Sequence, residues 1–349
     1  LDSTAGEGVI LAGCSRRGVR FLFCQMEFLS LAEFEGCEEA FDSAVAMTPG
    51  IATFCSGIDW QLSAHDCLHP ARDALIASES GCWCVFARGA LFDMPDVLQP
   101  LEAAWCFSSP LIGSDWKKST ELLRKVLLMD PFTSPITVFG GIPADSAAAA
   151  YLRRELGRFG RVFAYPGTSC ARTRLDGGFD AFLSRRSASF RAGIRSDCRR
   201  TVRKGFTFEY CGRECVGDEV FRRLLDVEKR SWKFFAHASV FQLEDHRRFY
   251  RSLITRSANR GRLRAVFAIS DGRDVAYACG GIMGDTFRGM QMGYDDAFAS
   301  LGVGNVTQTE LMRRLADEKI ANYDLGMMVD YKERWCDETL SLTNLLLVR

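Results

Sequence analysis

Apolar residues alternate with polar or small ones along LRAVFAIS (263–270) and DVAYACGGIM (274–283), and Asp271-Gly272 stands between the two runs. A period of two points side chains to opposite faces of a strand, and Asp-Gly supplies the positive φ angles of a tight turn, so this stretch predicts an antiparallel hairpin. TFRGMQMGY (286–294) predicts a third strand. Around these, FTFEY reads as a short strand, and GDEVFRRLLDVEKRSWKFF and LEDHRRFYRSLITRSANRG as two helices with apolar residues at three- and four-residue steps. TQTELMRRLADEKI predicts another helix, NYDLG a brief strand, VDYKERW a helical turn and TLSLTNLLLV a closing strand. Upstream, GFDAFLSRRSASFRAGIRSDCRRTVRKG spaces Phe179, Phe182, Phe190, Ile194, Cys198 and Val202 along one face of a predicted helix, with Arg191, Arg195, Arg199 and Arg203 opposite.

The first half is harder to read. GVILAG (8–13), VRFLFC (19–24) and CWCVFARGALF (82–92) are strand-like. PITVFGG, then a helix over ADSAAAAYLRRELGRFG opened by Asp145 or Ser146, then RVFAY predicts strand, helix and strand with short connections, hence a parallel or mixed sheet. YPGTS (165–169) punctuates the chain, which divides its 349 residues into expected domains 1–165 and 166–349.

Composition narrows the function classes. Hydrophobic residues make up 47% of the chain, enough for substantial cores, and no apolar run is long enough for a membrane-spanning helix. Forty-four basic residues balance 44 acidic ones, so no global field points to nucleic acid. Fourteen cysteines without a CxxC pair, in a long chain in which no secretory leader is read, predict reduced packing thiols and a cytoplasmic location. HDCLH (65–69) spaces two histidines four apart, but Pro70 follows and only His237 and His246 remain, so no metal site is expected.

Taken in order, strand, two helices, three antiparallel strands, helix, strand, helical turn and strand resembles the GNAT N-acyltransferase fold. FLSRRSASFRAGIRSDCRRTVRKG, EKRSWKFF, the hairpin, MGYDDAFASLGVGN and YDLGMMVDYKERW are similar to successive blocks of the acetyltransferase-like family associated with cellulose and exopolysaccharide biosynthesis, related to the FemAB tandem-GNAT transferases. PLIGSDWKKSTELLRKVLL resembles that family's N-terminal half more loosely. The resemblance implies an α/β (α+β) chain of two tandem GNAT-like lobes, each a mixed, largely antiparallel sheet flanked by helices. It implies an N-acyltransferase that moves an acyl group from acyl-CoA, or from an acyl-carrier protein, to a primary amine of a small molecule, amino sugar or peptide. The alternatives are an aminoacyl-tRNA-dependent transferase of the FemAB kind and a non-catalytic binding protein.

The resemblance places acyl-CoA binding at Gln291, Met292 and Gly293 on the third strand and at Gly302, Val303, Gly304 and Asn305, where glycines ahead of a helix let phosphates reach unpaired N–H groups. Ala299 stands where the family pattern has Arg or Gln. Asp295 is a candidate for the base that an amine nucleophile needs or for a substrate anchor, Glu228 is a candidate catalytic residue lining the acceptor cleft, and Tyr331 is a candidate for the acid that protonates a leaving thiolate. Lys332 is a candidate partner for a carboxylate or phosphate, and Trp232, Lys233 and Tyr294 are candidates for the acceptor pocket. Seven arginines between 185 and 203 could receive adenosine phosphate, a carrier protein or tRNA.

Overall fold

The structure is a computed structural model that describes residues 26–91, 93–129 and 134–349. The strand-like runs at 8–13 and 19–24 lie outside those residues. The first lobe begins with β1 (Glu27–Leu29), α1 (Leu31–Gly36), α2 (Glu38–Met47), α3 (Thr53–Ser56) and α4 (Ile58–Leu68). It continues through β2 (Asp73–Glu79), β3 (Cys82–Leu91), β4 (Met94–Pro100), β5 (Leu111–Ile112), α5 (Trp116–Met129), β6 (Ile136–Pro143) and α6 (Ala147–Leu156) to β7 (Arg161–Arg174). The second lobe opens with α7 (Gly178–Ser184), α8 (Ala188–Arg203), β8 (Thr207–Cys211), α9 (Gly217–Glu228), α10 (Trp232–Phe235) and α11 (Glu244–Asn259). The strands β9 (Leu263–Ser270), β10 (Arg273–Met283) and β11 (Thr286–Tyr294) precede α12 (Val303–Asp317), β12 (Asn322–Met327) and β13 (Glu338–Val348).

One mixed sheet joins both lobes in the order β1-β2-β3-β4-β6-β13-β7-β12-β11-β10-β9-β8, with β5 paired to β3. The last strands are exchanged. β13 leaves its own lobe and pairs with β6 of the first (Val348↔Ile136 to Leu342↔Pro143), while β7 pairs with β12 of the second (Arg174↔Asn322). The two exchanged strands lie antiparallel side by side from Glu338↔Arg172 to Val348↔Arg161. Consequently YPGTS is not a break between lobes: the expected boundary after Tyr165 falls inside β7. Pro166 and Gly167 sit where the β7–β13 register shifts, and a Cβ on Gly167 would press on the Leu342 carbonyl at 2.9 Å.

Local chemistry explains the other departures. The arginine-rich segment forms two helices, because Ser187 takes extended backbone and accepts from the Phe190 N–H at 3.2 Å as an N-cap. Phe179, Phe182, Phe190 and Ile194 are buried as expected, whereas Val202 is 71% exposed. Likewise Ser231 caps α10 through Phe234 N and breaks the helix expected to run through SWKFF. Ser146, rather than Asp145, caps α6. The hairpin forms as read, with Asp271 (φ 48°) and Gly272 (φ 72°) in the turn and Arg273 opposite Ser270.

Between the lobes α4 packs on α11, and Trp60, Trp105, Phe107 and Phe249 join in one aromatic cluster, Trp60 and Phe249 at 5.2 Å. Arg262 of the second lobe reaches Asp42 of the first at 2.6 Å. The described cysteines are free thiols, with Cys55, Cys82, Cys84, Cys170 and Cys279 buried. No helix of the described residues is long and apolar enough to cross a membrane.

Because β13 completes the first lobe's sheet, removing residues 338–349 exposes an unpaired edge on both β6 and β7. Denaturant unfolding of that truncation is expected to show loss of cooperative structure in both lobes. A first lobe or second lobe that keeps a full-amplitude transition contradicts the exchange.

Candidate active site

β11 and β12 run parallel for only three residue pairs, Thr286↔Asn322, Phe287↔Tyr323 and Arg288↔Asp324, and then separate. Beyond this fork β11 stays with β10, while β12 bulges between Asp324 and Gly326 and follows β7. Gly326 takes a positive φ of 84°, which glycine tolerates, and its N–H donates to Asp324 Oδ1 at 2.9 Å. Two diverging strands leave a gap that side chains must line, and a cavity of about 310 Å³ opens there. Gly289 to Met292 form one wall and Leu325 to Met327 the other, while Trp60, Trp105 and Phe107 of the first lobe close the far side.

Arg288 and Asp324 are cross-strand partners at the apex. Both are buried, and Arg288 Nη1 donates to Asp324 Oδ2 at 2.9 Å. The Phe107 ring lies over the guanidinium with Cζ 4.5 Å from its centroid. Two lysines hold the strands further out: Lys233 donates to the Met292 carbonyl at 2.9 Å, and Lys332 to the Met327 carbonyl at 2.8 Å. Burial, followed by the nearby Arg288 charge, brings the Lys332 ammonium down to about 8. The same amine lies 5.7 Å from the Tyr331 ring centroid, and burial pushes the Tyr331 phenol up, which keeps it protonated.

Several expected residues therefore meet. Tyr331, Lys332, Lys233, Gln291, Met292 and Asn305 all line the cavity. Glu228 lies behind its wall, 1% exposed, and accepts from Tyr277 and Ser239 at 2.8 Å while pairing with Lys233 at 2.9 Å. A carboxylate so engaged holds Lys233 in place and is not free to take a proton from a ligand. Gly293 is needed for packing, since a Cβ there would press on the Tyr277 ring at 2.7 Å.

The remaining expected residues lie away from the cavity or are engaged by other side chains. Asp295 lies outside the cavity lining; its Oδ2 accepts from Arg230 at 2.8 Å and Arg273 at 2.7 Å, and its Oδ1 caps Ala297 N at 3.1 Å. Two guanidiniums and a cap leave it a positioning role at the end of β11 rather than that of a base. Gly302, Val303 and Gly304 are crowded by side chains of the chain itself. A Cβ on Gly302 would collide with the Asp197 carboxylate, which Asn305 Nδ2 holds at 3.0 Å and Arg200 pairs. Gly304 makes room for the Tyr294 ring, 2.8 Å from its would-be Cβ, and Val303 is fully buried. An internal carboxylate thus lies beside the α12 N-terminus, near where an external anion was expected. Trp232 is 48% exposed and, like Tyr294, does not line the cavity.

Sequence reasoning missed Arg288, Asp324, Asp197 and the first-lobe aromatics. A charged residue inside each of two strands, TFRGM and NYDLG, was the available signal for the first two, since an unpaired charge is rarely buried. Asp197 is the one acid within the arginine-rich helix, SDCRR.

A family model described as an acetyltransferase (GNAT) domain matches residues 188–334, from α8 to the turn that carries Tyr331 and Lys332. Among solved structures, the chain is similar to a conserved protein of unknown function from Bacteroides thetaiotaomicron VPI-5482, with 12% identity and a TM-score of 0.64, covering 94% of this chain and 100% of that one. It is also similar to FemX, with 11% identity and a TM-score of 0.64 over 93% and 97% of the two chains. L-PGS from Bacillus licheniformis matches with 14% identity and a TM-score of 0.57, over 89% and 91%. At such identities the likeness speaks for the fold: a mixed α/β arrangement of tandem GNAT-type lobes. No curated protein matches the sequence.

Asp295→Asn tests the positioning role. Urea unfolding is expected to show a loss of about 1–3 kcal/mol, since charge-assisted bonds to two arginines weaken. A fall in turnover of a hundredfold or more at unchanged stability restores Asp295 as a base.

Proposed function

We propose that the chain is an N-acyltransferase that acts in the cavity between β11 and β12 by direct attack of a primary amine on an activated acyl group. The observation that carries this reading is Lys332, an amine brought down to about 8 beside a protonated Tyr331 on a cavity at the fork of a GNAT-matched lobe. A primary amine near pH 7 is almost wholly protonated and cannot attack a carbonyl until it loses a proton. Lys332 can keep one N–H on the Met327 carbonyl and use its lone pair to take that proton. The amine nitrogen then bonds to the acyl carbon, backbone amides of the separated β11 stabilise the oxyanion, the C–S bond breaks as Tyr331 protonates the departing thiolate, and the surplus proton on the new amide nitrogen returns to the Tyr331 oxygen. Acyl-CoA or an acyl-carrier protein is the donor in this scheme.

One observation favours a second donor. Asp197 at the α12 N-terminus and Ala299 in the preceding turn both weaken a diphosphate site, which suits delivery by a larger carrier, aminoacyl-tRNA among them. Arg195 and Arg199 are exposed on α8 and would meet its phosphates.

The pH dependence tests the base. Log kcat/KM is expected to rise with pH and level off above about 8 as Lys332 loses its proton. Lys332→Gln is expected to erase that inflection and lower kcat by roughly 10²- to 10⁴-fold. A Gln variant that retains the inflection and the rate removes Lys332 from the mechanism.

Calorimetry with acetyl-CoA separates the donors. If the diphosphate binds at α12, Asp197→Ala is expected to tighten acetyl-CoA roughly tenfold by removing a competing carboxylate. Absence of binding by both proteins, with salt-dependent tRNA affinity that falls in Arg195→Ala and Arg199→Ala, selects the tRNA donor. Absence of acyl-CoA, carrier-protein and tRNA binding overturns the transferase reading and leaves a non-catalytic ligand-binding lobe.

A further inference from the structure

The cavity lining contains three cationic side chains, Lys233, Arg288 and Lys332, and no carboxylate. Lys233 is matched by Glu228 behind the wall, and Lys332 is drawn toward neutrality. Arg288 is paired with Asp324, yet it keeps a permanently protonated guanidinium with donors to spare. Asp324 takes only its Nη1, while Nε is buried without a hydrogen-bond partner. The N–H bonds of Nε and Nη2 lie parallel along one edge of a guanidinium, at the spacing of the two oxygens of a carboxylate. Trp60, another residue of the lining, also has a buried Nε1 without a partner, and its ring centroid lies 5.9 Å from Arg288 Cζ. Buried donors are usually satisfied, so these two, on neighbouring residues of the lining, suit an acceptor brought by a ligand.

Position adds the other half. Arg288 Nη2 and Lys332 Nζ each lie 3.6 Å from the point a Cβ on Gly326 would occupy. A ligand at that point reaches the guanidinium with one end and the basic amine with the other. Trp105, Phe107 and Tyr250 provide apolar surface for its body.

We propose that Arg288, with Trp60, binds the carboxylate of the acceptor, so that the amine acylated in this cavity belongs to an amino acid or short peptide and not to an amino sugar. This rests on the transferase reading for the fate of the amine, but the carboxylate site itself is open to a binding measurement alone. Carboxylate capture sets the distance between the anchored end and the amine presented to Lys332.

The test is calorimetric titration of the full chain, with and without acetyl-CoA, using L-lysine, L-phenylalanine and L-alanyl-L-lysine, each beside its C-terminal amide, together with glucosamine and inorganic phosphate. At least one acid is expected to bind and its amide to bind roughly ten- to a hundredfold more weakly. Arg288→Gln is expected to abolish the preference for acid over amide. Because that change also strips Asp324 of its partner, Trp60→Phe provides a milder variant, expected to weaken the acid several-fold and leave the amide unchanged. Equal affinity for acid and amide, tighter binding of glucosamine or phosphate than of any acid, or no binding of any acid at millimolar concentration overturns the proposal. Acetyl-CoA affinity measured in the same series keeps the two readings apart: an acid site without any acyl donor sinks the transferase, and donor binding without acid selectivity sinks this inference alone.

Discussion

The site depends on a buried ion pair at the place where two parallel strands part. Arg288 and Asp324 face each other in the last paired register of β11 and β12, and both are removed from water. Breaking such a pair by removing one partner typically costs about 3–5 kcal/mol, because a charge is left without compensation in a poorly polarisable interior. The pair therefore pins the apex. Asp324 does more than balance charge: its other oxygen takes the Gly326 N–H and turns β12 away, so the group that closes the fork also starts its opening. Lys233 and Lys332 then hold the two diverging strands by their carbonyls, which keeps polar backbone satisfied where the ladder has ended.

Exchange of β7 and β13 gives this fork its floor. In the second lobe β12 pairs with β7, and β7 is held in turn by β13, which belongs equally to the first lobe's sheet. The lobes cannot separate as rigid bodies without tearing the central ladder. That continuity lets first-lobe aromatics serve as a fixed wall: Trp60, Trp105 and Phe107 reach the cavity from segments on either side of the β2–β4 meander, and their packing on Phe249 ties them to α11. The α12 N-terminus, by contrast, already has the Asp197 carboxylate beside it, a negative charge that disfavours a phosphate there.

Much of the second lobe was legible because local signals agreed there. Alternation, the Asp271-Gly272 turn and three- and four-residue apolar steps all pointed to the same elements, and the tandem-lobe class was implied by the family that those blocks resemble. What stayed hidden required tertiary information. No local pattern shows that β13 crosses into the first lobe, nor that Pro166 and Gly167 mark a bulge and not a linker. Glycine carries the same ambiguity at the site: Gly302 and Gly304 were read as room for a ligand, and the room is taken by Asp197 and Tyr294. Asp295 was read from its neighbours in sequence, whereas Arg230 and Arg273, which consume its charge, come from α9's end and the hairpin turn. Tyr331 and Lys332 were legible as a pair, but the burial that tunes Lys332 arises from Arg288 and the fork, which sequence spacing does not encode.

The most direct measurement is a crystal structure of the chain with an amino-acid acceptor and a non-hydrolysable acyl thioester soaked together. The account predicts continuous density in the gap beyond Arg288 and Asp324, with the acceptor's carboxylate on the free guanidinium edge and its nitrogen facing Lys332. An empty or collapsed gap, or a ligand seated at the α12 N-terminus with Asp197 displaced and nothing near Arg288, contradicts it.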